Sequence, residues 1–165
     1  MIQKKICMLG GFAVGKTSLV RQYVHSMFDE RYQTTLGVKI DKKQVGVDGK
    51  TVNLMLWDLY GEDEFQTLRL SYLRGTSGYL LVADGTRPES LDRVHSLRLT
   101  AERTIGKAPF IVLLNKADLA DDWCIPEDAI EDMRSNGWNV LKTSAKTGAG
   151  VNEAFELLAK EMVRE

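Results

Sequence analysis

Apolar residues along this chain fall in short runs separated by longer stretches of mixed character. Lys5–Leu9, Tyr79–Ala83 and Phe110–Leu114 are brief and mostly apolar, as strands covered on both faces are. The first of these predicts a strand, after which Gly10–Gly15 turns the chain into a helix from about Lys16 to Ser26. Two alternating segments follow, near Val38–Val47 and Thr51–Trp57, joined through Asp48-Gly49. An Asp-Gly pair between alternating segments signals a hairpin, because both residues accept positive φ. Lys39, Lys42 and Lys43 suit an edge strand, where charge discourages pairing with another chain.

The segment Asp58–Gly75 is expected to contain a short helix. Pro88 stands where the first turn of the helix Glu89–Thr104 begins, a position that wastes no N–H donor. After a Trp-containing loop, Glu127–Ser135 reads as a helix and Asn139–Lys142 as the last strand. The final helix carries Val151, Ala154, Phe155, Leu158 and Met162 in one apolar stripe against a sheet. Alternating strands and helices predict an α/β fold. The expected sheet has six strands and is mostly parallel, with only the second strand antiparallel, and five helices cover both faces. Residues 1–165 are expected to form one domain.

Charge excludes some function classes. Twenty-two basic residues balance 23 acidic ones for a formal net charge of -1. Nothing in that balance attracts nucleic acid or an anionic membrane. No apolar run is long enough to span a bilayer, and no signal peptide is expected from the opening residues. Cys7 and Cys124 stand in no metal or redox spacing, and Cys7 reads as a small buried thiol in a reducing, cytoplasmic setting. His25 and His95 are isolated from any potential co-ligand.

The candidate chemistry begins at Gly10-Gly11-Phe12-Ala13-Val14-Gly15-Lys16-Thr17, which satisfies G-x-x-x-x-G-K-[ST] between a strand and a helix. Glycines let the backbone wrap phosphates closely, with N–H groups offered along Gly11, Ala13, Val14, Gly15, Lys16, Thr17 and Ser18. The helix N-terminus adds positive dipole. Lys16 brings a point charge to the β- and γ-phosphates, and the Thr17 hydroxyl can ligate Mg²⁺. This loop indicates a nucleoside triphosphate without naming the base.

The base is chosen elsewhere. Asn115-Lys116-Ala117-Asp118 follows an apolar run, at the carboxyl end of a strand, where open α/β sheets bind ligands. The Asp118 carboxylate can accept from the N1–H and exocyclic amine of guanine, whereas adenine offers an acceptor at N1. Polar pairing of this kind rejects the wrong ligand by ~10⁴ or more. Ser144-Ala145-Lys146, past another strand, can offer a backbone N–H to the guanine O6.

With those segments in place, the chain resembles the Ras superfamily of small GTPases, and within it the Rab branch. The resemblance runs from Lys5 to the last helix, and adds Tyr32–Gly37, Trp57-Asp58-x-x-Gly61 and Ser71–Gly75 to the motifs above. It implies a small G domain of the P-loop NTPase class that binds GTP or GDP with Mg²⁺. Thr35 would close over Mg²⁺ and the γ-phosphate, Asp58 would hold Mg²⁺ through water, and the Gly61 N–H would sense the γ-phosphate. Phe28 would lie against the guanine face, or else pack the first helix against the core. Partners implied are effector proteins at segments 30–40 and 58–75, an exchange factor and a GAP. Trp57 and Tyr72 match two positions of an aromatic cluster used for effector recognition; the third is Ile40, and a core role for Trp57 is an equal reading.

Departures from the family pattern concentrate on catalysis. Glu62 stands where a Gln usually positions the attacking water. A carboxylate can only accept hydrogen bonds, and at ~4 Å from a phosphate oxygen it meets a raw repulsion of ~4 kcal/mol. Glu62 thus takes a catalytic place with the wrong sign, or points to solvent. Phe12 replaces a Gly beside the γ-phosphate, where a benzyl group obstructs an arginine supplied in trans. Tyr60, in Asp58-Leu59-Tyr60-Gly61, is a candidate to pack with Phe12 as an aromatic lid. The chain stops at Glu165 with no terminal Cys, so no lipid anchor is expected. Lys16, Thr35, Gly61 and Glu62 are the expected catalytic set of a slow GTP/GDP switch. The alternative is a GTP-bound interaction module with negligible hydrolysis.

Overall fold

The computed structural model describes residues 2–26, 38–59 and 70–164. Strands β1 (Ile2–Gly10), β2 (Lys39–Val47), β3 (Lys50–Asp58), β4 (Gly78–Asp84), β5 (Phe110–Asn115) and β6 (Asn139–Lys142) form one sheet. Its order is β2-β3-β1-β4-β5-β6. Only β2 runs antiparallel, against β3, and every other pairing is parallel. The hairpin between β2 and β3 turns on Asp48 at φ 50 and Gly49 at φ 79, as the Asp-Gly pair predicts. β1 begins earlier than its apolar run, because Ile2, Gln3 and Lys4 pair with Val52, Asn53 and Leu54. Ladder hydrogen bonds carry polar residues into a strand that hydropathy alone would end.

Four α-helices lie among the described residues: α1 (Lys16–His25), α2 (Pro88–Ile105), α3 (Glu127–Ser135) and α4 (Val151–Val163). The sequence predicted five. Its expected helix within 58–75 shows a short 3₁₀ turn at Leu70–Leu73, and 60–69 lie outside the described residues. A second 3₁₀ turn, Ala120–Asp122, follows β5.

Alternation along the strands builds two cores. Ile6, Met8, Leu80, Val82, Ile111 and Leu113 face α1 and α4, meeting Leu19, Val20, Tyr23 and the predicted α4 stripe. Cys7, Leu9, Tyr79, Leu81, Val112 and Leu114 face the other way, against Leu91, Val94 and Leu97 of α2 and Ile130 and Met133 of α3. Each such side chain contributes about 1.5–3 kcal/mol by leaving water. Within the first core the Tyr23 and Phe155 rings stack at 4.0 Å, fixing α1 to α4. Cys7 is fully buried, as expected, and burial pushes its thiol pKa up. Covering both faces leaves the carboxyl edge of the sheet as the place where irregular backbone meets solvent. The parallel strands β1, β3, β4, β5 and β6 all end there.

Candidate functional site

The loop after β1 is built around the N-terminus of α1. Gly15, at φ 104, occupies the position before the helix, and no side chain caps the first turn. That conformation suits glycine, and a Cβ there would also fall on the Asn115 amide nitrogen. No acidic residue lies in the first turn, so the free N–H groups and the helix dipole favour an anion.

Lys16 is buried, with Nζ donating to the carbonyl oxygens of Gly10 at 3.2 Å and Gly11 at 3.3 Å. Burial brings its pKa down to about 8, against the opposing pull of the Asp58 carboxylate. An ammonium held this way gains from a second anion. Thr17 Oγ1 donates to Asp58 Oδ2 at 2.5 Å, and Asp58, at the end of β3, is 1% exposed. A hydroxyl beside a buried carboxylate is a hard, oxygen-only donor pair that suits Mg²⁺. No group of three or more His, Cys, Asp or Glu that could hold a metal occurs among the described residues. Mg²⁺ needs only one or two protein ligands beside waters and phosphate oxygens, so this pair could help to hold it.

The segments after β5 and β6 close on the same loop. Asn115 Nδ2 donates to the Val14 oxygen at 3.0 Å, and its Oδ1 accepts from Thr143 Oγ1 at 3.1 Å. Lys116, itself at φ 70, sends Nζ to the Ala13 oxygen at 3.1 Å. A non-glycine residue at positive φ is held there by its surroundings, and Ala13 at φ 58 is a second case in the same contact. Asn115 and Lys116 thus brace the loop from behind. Asp118 projects into solvent, oriented by a 2.8 Å hydrogen bond from the Ser144 hydroxyl to Oδ1. The Thr147 N–H donates to that hydroxyl at 3.1 Å. Ala145 is buried beside them, and Lys146 is exposed.

Of the other predicted residues, Gly11 and Val14 are buried, and Ala13 and Ser18 half-buried, around the same turn. Phe12 stands out from the loop, 42% exposed. Phe28, Thr35, Tyr60, Gly61 and Glu62 lie outside the described residues. Trp57 is half-buried, with Lys5 Nζ 3.7 Å above its ring and Tyr72 at 6.4 Å, while Ile40 is exposed. His25 and His95 are both exposed, and His95 lies 5.3 Å from the Trp138 ring.

Asp84, Gly85 and Arg87 escaped sequence reading. Asp84, 1% exposed at the end of β4, accepts Lys116 Nζ at 2.8 Å and Arg87 Nε at 3.0 Å on one oxygen. Thr86 donates to the other through its N–H at 2.9 Å and its hydroxyl at 2.7 Å. Burial pushes the Asp84 carboxyl up, but Lys116, Thr86 and Arg87 together hold it below the usual range. The available signal was a lone carboxylate closing an otherwise apolar strand. Gly85, next along, lets the Trp123 ring pack closely against the backbone, since a Cβ there would clash with the ring's Cζ3. Trp123 and Gly85 tie the loop that follows Asp118 to the end of β4, with Cys124 N–H donating to the Gly85 oxygen at 2.7 Å.

This geometry can be set beside known proteins. A family model described as the Ras family matches residues 5–164. The chain belongs to the Ras family. It is similar to Ras-related protein Rab7 of Drosophila melanogaster, 35% identical over 170 residues covering 94% of this chain and 78% of that one. Similarity to Ras-related protein Rab-7b of Mus musculus is 34% over 165 residues, covering 96% and 81%. For Ras-related protein Rab-7a of Paramecium octaurelia it is 34% over 163 residues, covering 94% and 79%. The member is Rab-like, and Ras-family members are GTPases, the enzyme class of this chain. The family binds guanine nucleotide, typically with Mg²⁺.

Proposed function

We propose that this chain binds GDP and GTP with Mg²⁺ at the carboxyl edge of the sheet and acts as a switch whose hydrolysis step is slow. The observation that carries the reading is the joint aim of two features at one edge. The uncapped N-terminus of α1 with buried Lys16 favours phosphates, and the Ser144-oriented Asp118 carboxylate favours guanine.

In this reading the N–H groups of residues 13–18 and Lys16 bind the phosphates. Thr17, Thr35 and, through water, Asp58 hold Mg²⁺, which supplies charge neutralisation between the phosphates. Asn115 and Lys116 hold the phosphate loop in shape, and Asp118 with the Ala145 N–H reads the base, with Ser144 and Lys146 flanking it. Phe28 covers the guanine face. Thr35 and Gly61 contact the γ-phosphate in one state only, which makes the two states distinguishable to effectors at 30–40 and 58–75. Exposed Ile40 and Leu70 fall in those segments, supporting a protein-binding surface there. An exchange factor and a GAP are the further partners this cycle calls for. No helix among the described residues is long and apolar enough to cross a membrane, and a cytoplasmic location is part of the proposal.

Phe12 supports the slow rate: its ring stands exposed on the loop, where a trans arginine would have to approach. The same residue, with Glu62, favours a second reading, a GTP-bound interaction module with negligible hydrolysis. Competition of GTP, GDP and ATP for labelled GDP tests the binding claim. Guanine nucleotides are expected to compete at least a hundredfold better than ATP, and Asp118→Ala to erase most of that preference. Equal competition by ATP overturns the guanine assignment.

A further inference from the structure

Three consecutive carbonyl groups of the phosphate loop are held from outside it. The Phe12 oxygen accepts from Arg87 Nη2 at 2.6 Å, the Ala13 oxygen from Lys116 Nζ at 3.1 Å, and the Val14 oxygen from Asn115 Nδ2 at 3.0 Å. In a trans peptide plane the N–H points opposite to the C=O. Holding these oxygens outward therefore turns the N–H groups of Ala13, Val14 and Gly15 toward the inside of the loop. Lys116 and Asn115 belong to the segment already assigned to the base end. Arg87 does not: it comes from the turn between β4 and α2, and lies 75 residues from Phe12 in sequence.

Its placement is built rather than incidental. Asp84 Oδ2 accepts Arg87 Nε at 3.0 Å and Lys116 Nζ at 2.8 Å, so one buried carboxylate sets two cations against adjacent carbonyls. The Arg87 N–H donates to the Asp84 oxygen at 3.0 Å, and the Ser90 hydroxyl donates to the Arg87 oxygen at 2.7 Å, which fix the backbone from which the guanidinium extends. A guanidinium bonded to a carbonyl polarises the whole peptide group, and linked hydrogen bonds strengthen one another by roughly 10–30% each. The peptide concerned joins Phe12 to Ala13, so the strengthened donor is the Ala13 N–H. Ala13 holds φ 58, a conformation that its surroundings must enforce.

We propose that Arg87 is a positioning residue for nucleotide phosphates, acting through the Phe12 carbonyl to aim and polarise the Ala13 N–H. The proposal rests on the reading of the loop as a phosphate site. A merely structural Arg87 would alter stability and leave the electronic surroundings of bound phosphate unchanged.

The test compares wild type with Arg87→Ala, Arg87→Gln and Arg87→Lys. Gln retains a neutral donor, and Lys retains the charge. GDP affinity is measured by competition, and the ³¹P resonances of bound GDP are recorded in each variant. Arg87→Ala is expected to bind GDP about tenfold to a hundredfold more weakly, with its β-phosphorus resonance displaced. Arg87→Lys is expected to recover part of both changes, and Arg87→Gln less. Should Arg87→Ala fail to fold, Arg87→Gln and Arg87→Lys carry the same comparison. Unchanged affinity overturns the proposal, and so does weakened affinity with unshifted ³¹P resonances. A wild-type protein that binds no GDP would instead refute the phosphate reading, which separates the two failures.

Discussion

Asn115 Nδ2 donates to the main-chain oxygen of Val14 at 3.0 Å, joining residues 101 apart in sequence. Its other atom, Oδ1, accepts from Thr143 Oγ1, so one buried amide links the loops after β1, β5 and β6. Asn115→Ala would leave a buried carbonyl and a buried hydroxyl without these bonds, at about 1–3 kcal/mol for each group. The expected outcome is a lower midpoint in urea and faster release of labelled GDP. A variant matching wild type in both measurements would contradict this account of Asn115.

The metal assignment makes a separate prediction. Removing Mg²⁺ with a chelator is expected to speed GDP release from wild type. Thr17→Ala and Asp58→Asn should release it about tenfold to a hundredfold faster than wild type when Mg²⁺ is present. In those variants the chelator should add little. Undiminished chelator sensitivity in both would place the metal elsewhere.

Hydrolysis is expected to be slow, and the cause is assigned to Glu62 and Phe12. Single-turnover phosphate release should rise about tenfold or more when Glu62→Gln and Phe12→Gly are combined. Fast unassisted turnover that Glu62→Gln abolishes would refute the role given to Glu62. Release absent over hours in wild type, and still absent in the double variant, would favour the interaction module.

Asp84 sets a pH dependence of stability. Its folded-state pKa lies below the ordinary 3.8, because Lys116, Thr86 and Arg87 outweigh burial, which acts in the other direction. A depressed carboxyl pKa stabilises the fold fully above the unfolded value, and that contribution is lost as pH falls through the folded value. Asp84→Asn is therefore expected to be about 1–3 kcal/mol less stable near neutrality. The gap should close in acid below pH 3.8, as read by urea unfolding at a series of pH values. A gap independent of pH would show that the charge of Asp84 is immaterial.

Gly85 is expected to tolerate no side chain. Gly85→Val would push the Trp123 ring off the end of β4, at about 1–3 kcal/mol for overpacking. Adding Trp123→Ala should restore part of the loss, because it removes the ring that the new methyls meet. Thermal unfolding of the two single variants and the double variant measures this, and strict additivity would deny the contact.

What sequence alone determined here is whatever depends on local periodicity and spacing. Strand β6 and helix α3 carry the bounds their patterns predicted, β5 runs one residue past its apolar run to Asn115, and the Asp48-Gly49 turn has both residues at positive φ. The loop from Gly10 to Thr17, the antiparallel second strand and the α4 stripe were legible for the same reason: each is written in neighbouring residues. Tertiary structure decided what depends on distance through space. Asp84 and Arg87 carry no motif, and only the pairing of β4 with β1 and β5 brings them to the phosphate loop. Asn115 reads in sequence as part of a base-selecting segment, yet in the fold it also braces Val14. A buried polar group must find its partner wherever the chain passes, and no local pattern records where that is.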